Sequence, residues 1–217
     1  MKTTLTLAVL LLFSAPAMMA QAVVPLKIEL PKPMFVGTPK TVKSGNLEAD
    51  RKKKPRPPVM VPKDVENVAA DMVVSSSDMF PVIGDLELAT DGDKEGADGS
   101  FVELGPGKQY IQIDLEETRA IYAIVIWHFH SQARVYRDVV VQVADDEDFI
   151  TNVRTIFNND HDNSSGLGIG TDKEYIETFE GRPLAVKGEK AQFVRLYSNG
   201  STSSEMNHYT EVEVYGK

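Results

Sequence analysis

The stretch 110-YIQIDLEETRAIYAIVIWHFHSQARVYRDVVVQVA-144 decides the fold of this 217-residue chain. It reads as three strands in succession. Ile111, Ile113 and Leu115 alternate with Tyr110, Gln112 and Asp114. From Ile121 the odd positions are Ile121, Ala123, Val125, Trp127 and Phe129, and the even ones are Tyr122, Ile124, Ile126, His128 and His130. A strand sends alternate side chains to opposite faces. This middle strand is therefore apolar on one face throughout, and on the other until it ends in two histidines. Val139, Val141 and Val143 then alternate with Val140, Gln142 and Ala144. The pattern predicts an all-β, antiparallel β-sandwich, with function on its loops. Trp127 shares the face of Val125, which makes it core rather than a binding platform.

Working outward, strands are expected at 72–77, 153–157, 175–179, 191–197 and 208–215, separated by polar loops at 88–107, 158–170 and 198–207. No helical period and no internal repeat is visible. Short strands between turn-rich loops point to a sandwich or jelly roll. The globular domain is expected to span 67–217. Residues 23–66 hold eight of the twelve prolines and the basic run RKKKPRPP at 51–58. Proline removes a backbone donor and fixes φ, so this segment reads as an extended linker or tail. Residues 1–22 begin with Lys2, continue through the apolar run Leu5–Phe13 and end in Ala20-Gln21-Ala22. That is the pattern of a signal peptide, and it predicts a secreted, periplasmic or cell-envelope protein. The apolar run is too short to span a membrane.

Charge divides with the same boundaries. The net charge is -9, but residues 23–66 carry ten basic and five acidic side chains, whereas 67–217 carry twelve and twenty-seven. So acidic a domain argues against nucleic acid, whose phosphates need cationic contacts. There is no cysteine, hence no disulfide and no thiolate chemistry. No nucleophile motif, phosphate loop or dinucleotide fingerprint appears.

Three constellations carry chemistry. Asp91-Gly92-Asp93-Lys94-Glu95-Gly96 begins like a calcium loop, but its twelfth position is Val102 instead of Glu, and no helix flanks it. A calcium site built from carboxylates and turned-in carbonyls stays open, against an ordinary acidic turn. His128 and His130 share one strand face, and with His161 would form a three-histidine zinc site for a hydrolase or lyase. The alternative is that they hydrogen-bond to neighbours or to a ligand. Trp127, Arg134, Tyr136, Asn158, Asn159, Asp160, Asn199 and Asn207 combine flat apolar faces with planar polar groups, as sugar binding requires.

Taken together, residues 67–217 resemble the discoidin-like, galactose-binding-like jelly-roll domains, which include coagulation-factor C-type domains and carbohydrate-binding modules. The segments that carry the resemblance are LATDGD at 88–93, YIQIDL at 110–115, DVVVQVADDEDF at 138–149, AQFVRLYSNG and TEVEVYG. The chain is also similar to secreted bacterial proteins with the WHFHSQARVY and NNDHDNSSGLG stretches. The resemblance implies a structural calcium held by the carboxylates of Asp91 and Glu211, with carbonyls near Leu88, Asp93 and Thr210, and with Ser100. Six residues inserted between Asp93 and Ser100 depart from the family's loop. It further implies a non-catalytic module that binds carbohydrate or a cell-surface polymer through loops at one end of the sandwich, with His128, His130, Arg134 and Asn199 as the contacts; residue type adds Tyr136, Asn158, Asn159, Asp160 and His161 as ligand-binding candidates. A structural domain with a protein partner is the remaining alternative.

Overall fold

The computed structural model describes residues 22–33, 44–51 and 54–217. The expected signal peptide and part of the proline-rich segment lie outside the described residues. Eleven strands occur among the described ones: β1 (Val23–Pro25), β2 (Met60–Pro62), β3 (Glu66–Asn67), β4 (Val74–Ser76), β5 (Val102–Leu104), β6 (Gln109–Trp127), β7 (Val140–Ala144), β8 (Arg154–Asn158), β9 (Arg182–Ser198), β10 (Asn207–Tyr209) and β11 (Glu211–Gly216). One 3-10 turn, Leu86–Ala89, is the helical element among the described residues. No helix there is long and apolar enough to cross a membrane.

The two strands expected at 110–115 and 121–129 are one strand, β6, bent in the middle. Asp114 faces Phe193 and Arg119 faces Ala191, so β6 has extra residues at 115–118 that β9 does not match. Glu116 there takes a left-handed φ of 64°. An unmatched stretch bends a strand sharply. Before the bend, β6 lies between β4 and β9, with β7 and β8 beyond; after it, β6 lies between β9 and β11, with β3 at the edge. The sheet thus folds over on itself into a sandwich. Ile111, Ile113, Ile124, Ile126, Val141, Val143, Leu196, Val212 and Val214 fill the space between its halves. Each such side chain stabilises the fold by about 1.5–3 kcal/mol on burial.

The bend also brings both ends of β6, and both ends of β9, to one end of the molecule. Tyr209 lies just before β11, whose Glu211 pairs with Trp127, yet its hydroxyl donates to the Leu196 carbonyl near the end of β9 at 2.9 Å. The loops after β6, β8 and β9 therefore gather together. No strand forms at 175–179, where Phe179 instead accepts a hydrogen bond from Trp127 Nε1 at 3.0 Å. Trp127 has no exposed surface, as its pattern predicts.

The segment before residue 67 does not stand off as a spacer where it is described. β1 pairs with β2, Val61 is buried, and β3 extends the sheet beside β11. Arg56 and Arg182 bind Glu48 at 2.9 and 2.8 Å, Arg51 reaches Glu180 at 2.6 Å, and Arg56 lies over Tyr175. Burial pushes the Glu48 carboxyl up, but Arg56 and Arg182 outweigh it and hold the group below its ordinary range. Part of the tail's positive charge is thus placed against the acidic domain.

Candidate functional site

At the loop end a hollow of about 420 Å3 opens between four chain segments. Pro106 and Gly107 come from the turn before β6, Arg137 and Asp138 precede β7, Asp162 and Ser164 follow β8, and Asn199 and Glu205 follow β9. The Asn199 amide donates to Asp138 Oδ2 at 2.8 Å, and Ser164 Oγ donates to the same oxygen at 2.9 Å. Carboxylate oxygens of Asp138, Asp160 and Asp162 lie within 4.8 Å of one another. Burial pushes the Asp160 carboxyl up, but Ser165 and Ser164 donate to it and hold it below its usual range. The hollow therefore presents a cation, an amide, a hydroxyl and carboxylates on a braced frame. Hydroxyl-rich ligands are recognised by such mixed donors and acceptors.

Of the expected site residues, Asn199 lines this hollow and Asp160 is buried beside it. Asn158 and Asn159 brace the loops: the Asn158 amide donates to Gly168 O and accepts from Asp160 N, and Asn159 Oδ1 accepts from Val139 N. His161 follows them, partly buried. Arg137, Asp138, Asp162, Ser164 and Glu205 were missed by the sequence reading, because isolated charged residues in turns carry no periodic signal.

His128, His130, Arg134 and Tyr136 lie inside the protein, each at most 5% exposed, so the expected surface contacts with a ligand are not available to them. His128 stacks on Tyr136 with ring centroids 4.3 Å apart, and its Nδ1 meets Glu177 Oε1 at 2.6 Å. The Tyr136 hydroxyl meets His208 Nδ1 at 3.0 Å, and His208 Nε2 meets Glu103 at 2.8 Å. Burial pushes His208 down to about 4, with Arg134 and His128 adding to the effect, while burial pushes Glu103 up. These shifts outweigh the ion-pair geometry: His208 is neutral, its Nε2–H donates to Glu103, and its Nδ1 accepts from Tyr136. Arg134 packs over Phe129 at 4.7 Å. The three histidines expected to hold zinc do not converge. His130 Nε2 is taken by the Lys94 carbonyl at 2.7 Å, and the one group of three or more metal-ligating side chains among the described residues is the aspartate trio.

The expected calcium residues are also brought together in part. Glu211, at the start of β11, is fully buried; its Oε2 accepts from Gly92 N at 3.1 Å, and its Oε1 has no hydrogen-bond partner. Thr210 Oγ1 beside it is buried and unpartnered as well. Burial pushes the Glu211 carboxyl up to about 9, with Glu213 and Asp91 adding to the shift. Asp91 Oδ1 accepts from Asp93 N at 2.8 Å, and Asp93 Oδ1 accepts from Glu95 N at 2.9 Å, so each of these carboxylates has one oxygen engaged within the loop. Leu88 sits in the 3-10 turn leading into this loop, and Ser100 lies half-buried at its far end. Orphaned buried oxygens beside a carboxylate-bearing loop are a donor set that fits a hard cation.

No protein-family model matches the chain, and no curated protein matches it. Solved structures do. A family 89 glycoside hydrolase from Clostridium perfringens, in complex with its substrate GlcNAc-α-1,4-galactose, is similar at a TM-score of 0.52 and 17% identity. That likeness covers 70% of this chain and 14% of the hydrolase. A chitosan-binding module from a Paenibacillus chitosanase/glucanase is similar at a TM-score of 0.51 and 16% identity, over 70% of this chain and 99% of the module. The bent two-layer sheet and these likenesses give one conclusion: the chain has the discoidin-like, galactose-binding-like jelly-roll fold.

Proposed function

We propose that the protein is an exported, non-catalytic binding module that holds carbohydrate or a cell-surface polymer in the hollow at its loop end. The observation that carries this reading is the hollow itself, where Arg137, Asn199, Ser164 and carboxylates face one space. Arg137 and Asn199 donate to ring hydroxyls, and Asp138 and Asp162 accept from them. The similar chitosan-binding module, which the chain nearly spans, supports the reading. A calcium ion bound by Glu211, Asp91 and Thr210, with carbonyls of the 88–93 loop, would neutralise the buried carboxylate and clamp that loop to β11. Its part is structural, since none of Glu211, Asp91 and Thr210 lines the hollow.

The test is binding of the full chain to an array of immobilised glycans, alongside Asn199→Ala and Arg137→Ala. Lost hydrogen bonds to a buried ligand cost about 1–3 kcal/mol, or roughly five- to a hundred-fold in affinity. Binding by the native chain that falls by this amount in both variants, at unchanged melting temperature, is the expected result. No binding to any glycan sinks the reading.

A further inference from the structure

Met79 and Phe80 are 82% and 81% exposed, the most exposed large apolar side chains among the described residues. We propose that they form an apolar platform at the edge of the hollow, and that the ligand is an extended glycan chain resting on both. This rests on the carbohydrate reading above.

The loop that carries them is held in place. Asp78 uses one carboxylate oxygen to accept from Phe80 N at 3.1 Å and the other to accept from Gly105 N at 2.8 Å. Gly105 leads directly into Pro106 and Gly107, which line the hollow. A single carboxylate thus ties the backbone of Phe80 to the turn that forms the hollow's wall. On the far side of the loop, Val82 N donates to Glu103 O at 2.6 Å and Glu103 N donates to Ile83 O at 2.8 Å. Gly84 follows with φ 71°, where a Cβ would meet the Phe101 carbonyl at 2.3 Å, so the exit from the loop is fixed too. A loop anchored at both ends holds two large apolar side chains in water. The backbone that carries them is held before any ligand arrives, which lowers the entropic cost of binding.

The surrounding charge chooses the occupant. Residues 64–93 contain no Lys or Arg, while Asp78, Asp85 and Glu87 flank the platform. An anionic lipid surface finds no basic side chain in this segment to hold it, and membrane attachment of this kind relies on basic residues. A pyranose ring suits it: its C–H face packs flat on an aromatic ring, and its hydroxyl edge turns to polar groups nearby. Platform and hollow are separate patches joined through Gly105, so a single sugar occupies one and a chain occupies both.

The experiment compares native protein, Phe80→Ala, Phe80→Trp and Asn199→Ala on an array of mono- to hexasaccharides, with phosphatidylcholine vesicles as a second probe. The expected result for Phe80→Ala is about tenfold weaker binding to the longer glycans, the size of one lost aromatic stack. Monosaccharide binding and melting temperature stay unchanged, and Phe80→Trp restores the longer ligands. Equal loss for short and long glycans, or no loss, overturns the platform while leaving the hollow supported if Asn199→Ala still fails to bind. Vesicle binding that Phe80→Ala abolishes overturns it in favour of lipid. No glycan binding by the native chain overturns both the platform and the carbohydrate reading.

Discussion

Chelating divalent cations at alkaline pH is the perturbation that bears most directly on Glu211. Its carboxyl has no exposed surface, and burial, with Glu213 and Asp91 adding to it, pushes it from 4.5 up to about 9. In the unfolded chain it titrates near its ordinary value. Between the two values the native state holds one proton more than the unfolded state. Stability without a cation therefore falls as pH rises through this window, by at most about 1.4 kcal/mol per pH unit. A bound cation stabilises the carboxylate and removes the slope. From about pH 7 to about pH 8.5 the loss reaches roughly 2 kcal/mol, or about 4–8 °C in melting temperature for a chain of this size. The assay is a thermal melt at both pH values, in excess calcium and in chelator, for the native protein and Glu211→Gln. The expected outcome is a melting temperature that drops with pH only in the chelated native protein. Glu211→Gln has no carboxylate to ionise, so it should show neither the slope nor the calcium response. A chelated native protein whose melting temperature stays flat, or a Glu211→Gln variant that falls just as far, refutes the reasoning.

Other consequences can be checked alongside. His208 is pushed down to about 4 by burial, and next by Arg134 and His128, so its neutral form stabilises the fold fully above its unfolded value of 6.5. That contribution is lost as pH falls from 6.5 toward 4, at up to about 1.4 kcal/mol per unit; urea unfolding at several acidic pH values should show the slope, and His208→Gln should lack it. Gly181→Ala should destabilise by about 3 kcal/mol or more, because φ is 62° and a Cβ would meet Trp127 at 2.6 Å; a unchanged urea midpoint would contradict that packing. Removing residues 1–66 should lower the melting temperature by several degrees, since Glu174, Glu180 and Arg182 lose the partners they have in Leu47, Arg51 and Glu48. Equal melting would mean the segment is only draped on the domain.

How much was legible in the sequence follows from the range of each signal. The alternation in Ile111–Leu115 and Val139–Ala144 reports a local period, and those strands stand where it puts them. The bend in β6 was not legible: residues 115–118 look like a loop between two strands, and only pairing with β9 shows that one strand carries through. Strand 175–179 failed because its alternation serves separate partners, Tyr175 in the core and Phe179 O against Trp127. The polar ending of the middle strand was visible, but its meaning was not. Histidines that alternate with apolar residues look the same whether they face water or a buried Glu177. Asp91 and Glu211 came from the resemblance, and Glu211 proves to be a buried carboxyl with an orphaned oxygen. Asn199 stands out by its residue type, whereas Arg137 and Asp138 meet it only through the folding of a distant loop, and Glu205, on the same loop as Asn199, carries no signal of its own. The contacts of the proline-rich segment are not legible either, because composition reports the absence of regular structure, not the absence of contacts. Arg56 and Glu48 form their contacts without a helix or a strand.

The most direct test of the central claim is affinity electrophoresis of the full native chain through gels containing soluble polysaccharides, run beside Asn199→Ala. Selective retardation of the native protein by at least one polysaccharide, abolished or strongly reduced in Asn199→Ala at equal thermal stability, is the predicted result. Equal mobility of both proteins in every gel, or equal retardation of both, would contradict a carbohydrate site in the loop-end hollow.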